Sequence, residues 1–374
     1  MQMSPFALER YFAKYEFSAP HLLCCSDCEA MTLSELLAFE PEAQEQFGKL
    51  WLGYTEAKGS PDLRHTIASL YGMTSADDIL VHVGAEEAIF NFMNVVLEKG
   101  DHVIVHAPRY QSLGAVAEAI GCEVTDWLAK SDSNWSLDLD ELQKLLKPKT
   151  KLLVVNLPHN PTGQLMPKVD FLRLVQLSQE RGFIIFCDEV YRLLESDENS
   201  RLPALVDLDE RGVSLGVMSK SFGLAGLRLG WIATRNKKIY SKMAAFKDYT
   251  TICSPAPSEF LANLALRHHE RLVARNRQII KENITLFIEF ITKWQKFFHW
   301  TPPVAGPVAF PKLTINDSAE DFCEELVQKA GVMLAPGHLF GESSKSHFRV
   351  GFGRKSFACS LGHFDSFMSG YSHT

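Results

Sequence analysis

Three apolar runs in the middle of this 374-residue chain each lead into a residue type that can do chemistry. Lys151–Asn156 runs into Leu157-Pro158-His159-Asn160-Pro161-Thr162-Gly163. Phe183–Cys187 runs into Asp188-Glu189-Val190-Tyr191, and Val213–Met218 into Ser219-Lys220. Asn160 and Asp188 are 28 residues apart, and Asp188 and Lys220 are 32 apart. A strand–helix–strand unit takes about 30 residues, so each interval fits one crossover. Ligands of open parallel sheets bind beyond the carboxyl ends of the strands. Taken singly, the three residues have plainer readings as a turn, a helix cap and a solvated lysine. Their order and spacing together point to one shared site.

An aldehyde-bearing pyridine calls for an amide, a carboxylate and an amine together. The amine forms a Schiff base with the aldehyde. The carboxylate keeps the ring nitrogen protonated, since an opposite charge close by favours the ionised form. The amide donates to the ring oxygen. The expected cofactor is therefore pyridoxal 5′-phosphate, with Asp188 as the partner that makes the ring an electron sink. Arg228, beyond the Gly223/Gly226 turn, can grip a phosphate bidentately. Gly84-Ala85-Glu86-Glu87 opens an amphipathic stretch, and the N–H groups of a helix N-terminus suit an anion. Tyr110 follows the run His102–His106 and can lie against the ring face.

The elements that must position these groups alternate. Short apolar runs at His102–His106, Lys151–Asn156, Phe183–Cys187, Val213–Met218 and Leu229–Ala233 are separated by helical patterns such as Val169–Arg181. That alternation predicts α/β organisation with a mostly parallel sheet. The last hundred residues differ. Pro257–Trp300 reads as one long helical stretch, short strands flank a helix near Ala319–Ala330, and a further helix ends the chain. The expected division is an N-terminal segment (1–40), a large cofactor-binding domain (41–265) and a small α+β domain (266–374).

Composition narrows the function classes. The net charge of −7 argues against a nucleic-acid binder, which usually carries a basic face. No apolar run approaches the roughly 18 residues of a membrane span, and Met1–Phe17 lacks the apolar core of a secretory signal. Eight scattered cysteines suggest reduced thiols and a cytoplasmic setting. Cys25 and Cys28 form one Cys-x-x-Cys without a second ligand pair, so no metal site is expected. A phosphate-binding P-loop, a dinucleotide glycine loop, a zinc-protease helix (Val273 breaks the pattern begun by His269-Glu270) and a hydrolase nucleophile elbow are all missing.

The segments Tyr54 to Arg64, Val83 to Phe90, Ala107 to Tyr110, Asn156 to Gly163, Cys187 to Tyr191, Ser219 to Trp231 and Phe348 to Phe352 resemble the class I/II aminotransferases of the fold-type I PLP-dependent enzymes. The resemblance implies a seven-stranded, mostly parallel sheet between helices and a smaller α+β domain. It implies that Lys220 carries the internal aldimine and shuttles the proton, that Asp188 pairs with the ring nitrogen, and that Asn160 and Tyr191 bind the ring oxygen. Tyr110 would stack on the ring. Ser219, Arg228 and the backbone N–H groups of Ala85 and Glu86 would hold the phosphate. Arg349, with Asn160, would bind the substrate α-carboxylate. Tyr54 would reach a neighbouring subunit's phosphate, which implies a homodimer with shared sites.

The implied reaction moves an amino group from an α-amino acid to a 2-oxo acid. Elimination, replacement and cyclisation begin from the same chemistry. Two departures stand out. Val217 occupies the position, three before the lysine, that is often Ser or Thr in the family. The stretch Leu23–Glu29 lacks the usual glycine motif. That stretch and Phe246–Ser254 are similar to a smaller group that includes capreomycidine synthase, which acts on a modified arginine. Asp27, Glu29 and Asp248 are the acids that could meet a cationic side chain. No second arginine for a distal carboxylate stands out. A regulator of this family with an added N-terminal DNA-binding domain is not expected, because Tyr54 lies too near the start.

Overall fold

The computed structural model describes residues 2–315 and 318–371. Seven strands build one sheet: β1 (Ile79–His82), β2 (His102–Ala107), β3 (Glu123–Leu128), β4 (Thr150–Asn156), β5 (Ile184–Asp188), β6 (Val213–Val217) and β7 (Gly230–Ala233). Their order is β1-β7-β6-β5-β4-β2-β3. β7 runs antiparallel to both neighbours, and every other pair is parallel. The central strands are apolar on both faces, as a sheet covered on both sides requires. Leu152, Val154, Ile185, Phe186 and Leu215 are wholly buried.

Among the helices are α1 (Ala7–Tyr15), α2 (Gly84–Val96), α3 (Lys168–Arg181), α4 (Ala256–Arg267), α5 (His269–Lys293), α6 (Ala319–Ala330) and α7 (Phe357–Tyr371). α2 starts directly after β1, at Gly84 with φ 83°, a left-handed value that glycine adopts without strain. The span Pro257–Trp300 is not one helix. It breaks at His268, where the Glu40 carboxylate receives both the Arg267 guanidinium (2.9 and 2.8 Å) and the His268 ring (3.0 Å). Helix α5 ends at Lys293, and Phe298–His299 turns into a short strand.

The C-terminal part is α+β. Phe348–Gly351 lies between Val308–Ala309 and Ala335–Pro336, antiparallel to both. Phe298, Phe322, Phe348 and Phe364 interlock at its centre, with ring centroids 5.7–6.0 Å apart. Such offset or edgewise contacts add to the burial gain of each ring.

The N-terminal segment is tied into this part. His21–Leu22 pairs in parallel with Val332–Met333. The Gly351 N–H then donates to the Leu23 carbonyl (2.6 Å) and the Glu29 N–H to the Gly353 carbonyl (2.7 Å). Residues 23–29 thus run directly against the strand that carries Arg349. No helix among the described residues is long and apolar enough to cross a membrane. Among them, one group, His21, Cys359 and His363, brings three metal-ligating side chains within reach of each other. Cys25 and Cys28 are not part of it.

The fit between segment and strand has no room for a side chain. A Cβ at position 351 would land on the Cys25 carbonyl. Gly351→Ala is therefore expected to destabilise the protein by about 2 kcal/mol or more, the usual scale of overpacking. Urea unfolding of the two proteins checks this, and an unchanged midpoint would contradict the packing described.

Candidate active site

The carboxyl ends of β4, β5 and β6 open into a cavity of about 460 Å³. Every residue expected to bind the cofactor or the substrate carboxylate lines it except Tyr54: Ala85, Glu86, Tyr110, Asn160, Asp188, Tyr191, Ser219, Lys220, Arg228 and Arg349. Val217 lines it too, so an apolar group stands on the wall three residues before the lysine.

Asp188 ends β5, and its register partner at the end of β4 is Asn156. The Asn156 amide donates to the Asp188 carbonyl (3.0 Å), and its Oδ1 accepts from the Asn160 N–H (2.6 Å). One buried amide therefore fixes both neighbours, a role not signalled by the motif. Burial, only partly offset by the Val190 N–H on its carboxylate (3.2 Å) and by Lys220, pushes the Asp188 carboxyl up to about 7. Such a group wants a cation beside it.

Lys220 follows β6 and points its Nζ at the Ser26 hydroxyl (2.8 Å). Burial and, secondarily, Arg349 lower its pKa, against the pull of Asp27. More of the neutral, nucleophilic amine is then present near neutral pH. The Tyr191 hydroxyl is buried, and among the described residues it has no partner at hydrogen-bonding geometry.

α2 and β7 approach each other closely at two glycines. A Cβ on Gly230 would sit 2.9 Å from the Gly84 carbonyl carbon, and one on Gly84 would sit 2.9 Å from Arg228 Nη2. This close approach brings Arg228 beside the first turn of α2, whose N–H groups have no intrahelical acceptors. The Glu87 carboxylate takes the Val83 N–H (2.6 Å), and Ala85 and Glu86 line the cavity.

Arg349 is wholly buried. Its Nε and Nη2 donate to the Cys24 carbonyl (3.1 and 2.8 Å) and its Nη1 to Asn160 Oδ1 (3.1 Å). A guanidinium carries five N–H groups, so two remain, as bidentate carboxylate binding requires. The Asn160 carbonyl oxygen is spent on Arg349, which leaves its NH2 for a ring oxygen. The ring of Phe340 lies 5.1 Å from Arg349 Cζ, a favourable cation–π separation.

The orphaned tyrosine hydroxyl, the carboxyl held high by burial, the glycine-lined helix start and the amine fit pyridoxal phosphate as a set. Tyr54 lies elsewhere, 85 % exposed on the surface beside Thr251 and Ser254. Asp27 lines the cavity with its carboxylate bound by Arg354 (2.7 Å). Glu29 instead accepts from the Lys355 N–H (2.9 Å), and Asp248 is exposed outside the cavity. Ser26 and the residues Leu8, Glu9, Phe12 and Glu16 on and just after α1, all on the cavity wall, were not anticipated. Only the face formed by positions 8, 12 and 16 of an amphipathic N-terminal stretch could have hinted at them.

The profile of the class I and II aminotransferases matches residues 22–357. The chain belongs to that family. Its fold is that of the fold-type I PLP-dependent enzymes, and its cofactor is pyridoxal 5′-phosphate. It is 28 % identical to the capreomycidine synthase of Streptomyces vinaceus over 347 residues, covering 92 % of this chain and 87 % of that one. A PLP-dependent aminotransferase from Streptococcus suis 89-1591 superposes with a TM-score of 0.92 at 30 % identity, covering 99 % and 98 % of the two chains. The PLP-dependent cyclase OrfR superposes with a TM-score of 0.91 at 27 % identity, with the same coverage.

The Asp188 carboxyl has a measurable signature in the cofactor-free protein. Its folded pKa lies above the unfolded one, so its protonated form stabilises the fold at low pH. That contribution is lost as pH rises toward and through about 7. Asp188→Asn removes the dependence. Between pH 5 and pH 8 the stability of the cofactor-free variant is expected to gain about 3 kcal/mol on the cofactor-free wild type. Denaturant titrations at the two pH values decide it, and parallel pH profiles would show the carboxyl to be unperturbed.

Proposed function

We propose that this protein is a PLP-dependent aminotransferase that moves the amino group of an α-amino acid to a 2-oxo acid. The observation that carries the reading is that Lys220 and Arg349 line one cavity, whose wall also includes Cys25, Ser26, Asp27 and residues of α1. When bound, the cofactor supplies an aldehyde for an amine and a cationic ring that draws electrons from Cα.

The chain's own residues do the rest. Arg349 and Asn160 anchor the substrate carboxylate, which sets Cα at a fixed height in the cavity. Asp188 faces the ring nitrogen and holds its proton there. Asn160 Nδ2 and the Tyr191 hydroxyl donate to the ring oxygen. Arg228, Ser219 and the first turn of α2 hold the phosphate. Lys220 Nζ, partly neutral through burial, takes the proton from Cα as general base. Positioned bases of this kind contribute roughly 10²–10⁴-fold. Ser26 steadies Nζ between transfers.

A second reading, intramolecular cyclisation of a guanidino amino acid, is supported by the likeness to capreomycidine synthase over 92 % of the chain and to the cyclase OrfR. It uses the same base and the same anchor. The two separate on the requirement for a second substrate. A transaminase, given one amino acid alone, is converted to the pyridoxamine form and needs a 2-oxo acid to recover, while a cyclase turns over without one.

The exposed side chains of Trp51, Leu52 and Tyr54, close together in sequence (77, 78 and 85 %), gather more apolar surface than single scattered residues would. They support a homodimer in which Tyr54 reaches the partner's phosphate. Sedimentation is expected to give twice the chain mass, and a monomer at micromolar concentration would count against the shared site.

Lys220→Ala is expected to remain folded, to lack the yellow absorbance of the wild type, to retain no cofactor after borohydride treatment and to lose turnover by about three orders of magnitude. A coloured, active variant would refute the assignment.

A further inference from the structure

Most charged groups on the cavity wall are spoken for. Arg228 faces the phosphate, Asp188 the ring, Lys220 the aldehyde and Arg349 the carboxylate, and Asp27 is neutralised by Arg354 (2.7 Å). Glu86 accepts from the Ser112 hydroxyl (3.2 Å), and two further carboxylates remain, one on α1 and one at its end. Glu9 and Glu16 line the cavity, and among the described residues neither has an ion-pair partner. Glu9 receives only a long contact from the Tyr110 hydroxyl (3.5 Å). The two are seven residues apart, two turns on one face, with Leu8 and Phe12 on the same wall.

From this arrangement we infer that the side-chain pocket selects α-amino acids whose side chain ends in a cation, a guanidinium or an ammonium, and that Glu9 and Glu16 are the residues that select it. The inference rests on the reading that Arg349 anchors the α-carboxylate. With that end fixed, a long aliphatic chain lies along Leu8 and Phe12 and delivers its charge to the two acids.

The electrostatics agree. Burial and the nearby charges of Glu9 and Asp27 raise the Glu16 pKa, against the pull of Arg354 and Lys220. A cation between these acids relieves that crowding, and an acidic side chain aggravates it. The cavity is a ligand site on separate grounds, because the buried, unpartnered Tyr191 hydroxyl also faces it.

The test titrates the holoprotein with L-arginine, L-lysine, L-citrulline and L-norleucine, and reads binding from the cofactor spectrum, whatever reaction ensues. Citrulline has nearly the shape of arginine without its charge. Wild type is expected to bind arginine or lysine about tenfold or more tighter than citrulline or norleucine, the scale of a charged hydrogen bond. Glu9→Gln/Glu16→Gln is expected to abolish that preference while leaving citrulline within about twofold, and the single variants divide the effect between the two acids. Equal wild-type affinity for arginine and citrulline overturns the proposal. So does a double variant that weakens all four ligands alike, or a wild type that binds none of them. Preference for the cations with no pyridoxamine form produced would leave this proposal standing and count instead against the transaminase.

Discussion

A carboxylate buried at the end of a central strand is costly unless something positive sits beside it. Asp188 is in that position, and burial raises the pKa of its carboxyl accordingly. The surrounding architecture makes sense as the means of keeping the group there. Parallel pairing of β4 and β5 sets Asn156 opposite Asp188, and the Asn156 amide ties down the backbone on both sides. A cationic ring beside Asp188, as proposed above, would release that penalty. The same unfavourable burial would then strengthen the hold on the cofactor.

The second constraint is the strand-like addition of residues 21–29 to the C-terminal part. It places the Cys24 carbonyl on Arg349 and the Ser26 hydroxyl on Lys220. Arg349 and Lys220 are thus held by neighbouring residues of one backbone stretch. Polar groups that would each be expensive to bury alone satisfy one another there.

The gathering of Asn160, Asp188 and Lys220 on one cavity wall was legible because chemistry restricts it. An amide, a carboxylate and an amine at crossover spacing leave few alternatives, and Ala85, Glu86, Tyr110, Ser219 and Arg228 lie with them on the wall of the same cavity. The sheet was legible where strands are buried on both faces and read as apolar runs. Periodicity did not single out Ile79–His82, which is short and merges into the Gly84 turn. Nor did it single out Glu123–Leu128, an edge strand whose Glu123 and Asp126 face solvent. The break at His268 was also hidden, because it depends on Glu40, more than two hundred residues away in sequence. The substrate side was poorly legible for the same reason. Asp27 looked free but is claimed by Arg354, while Glu9 and Glu16 acquire meaning only once α1 is laid over the cavity.

The hydrogen bonds between Arg349 and the Cys24 carbonyl span 325 residues. Closing so long a loop costs conformational entropy before any contact rewards it. During synthesis, the stretch that will meet Lys220 emerges early, and its bonds to Arg349 wait until the strand bearing that donor has been made. Completion of the pocket is therefore among the last events of assembly, and a chain interrupted before that strand would have a cofactor-binding sheet with no cover over it.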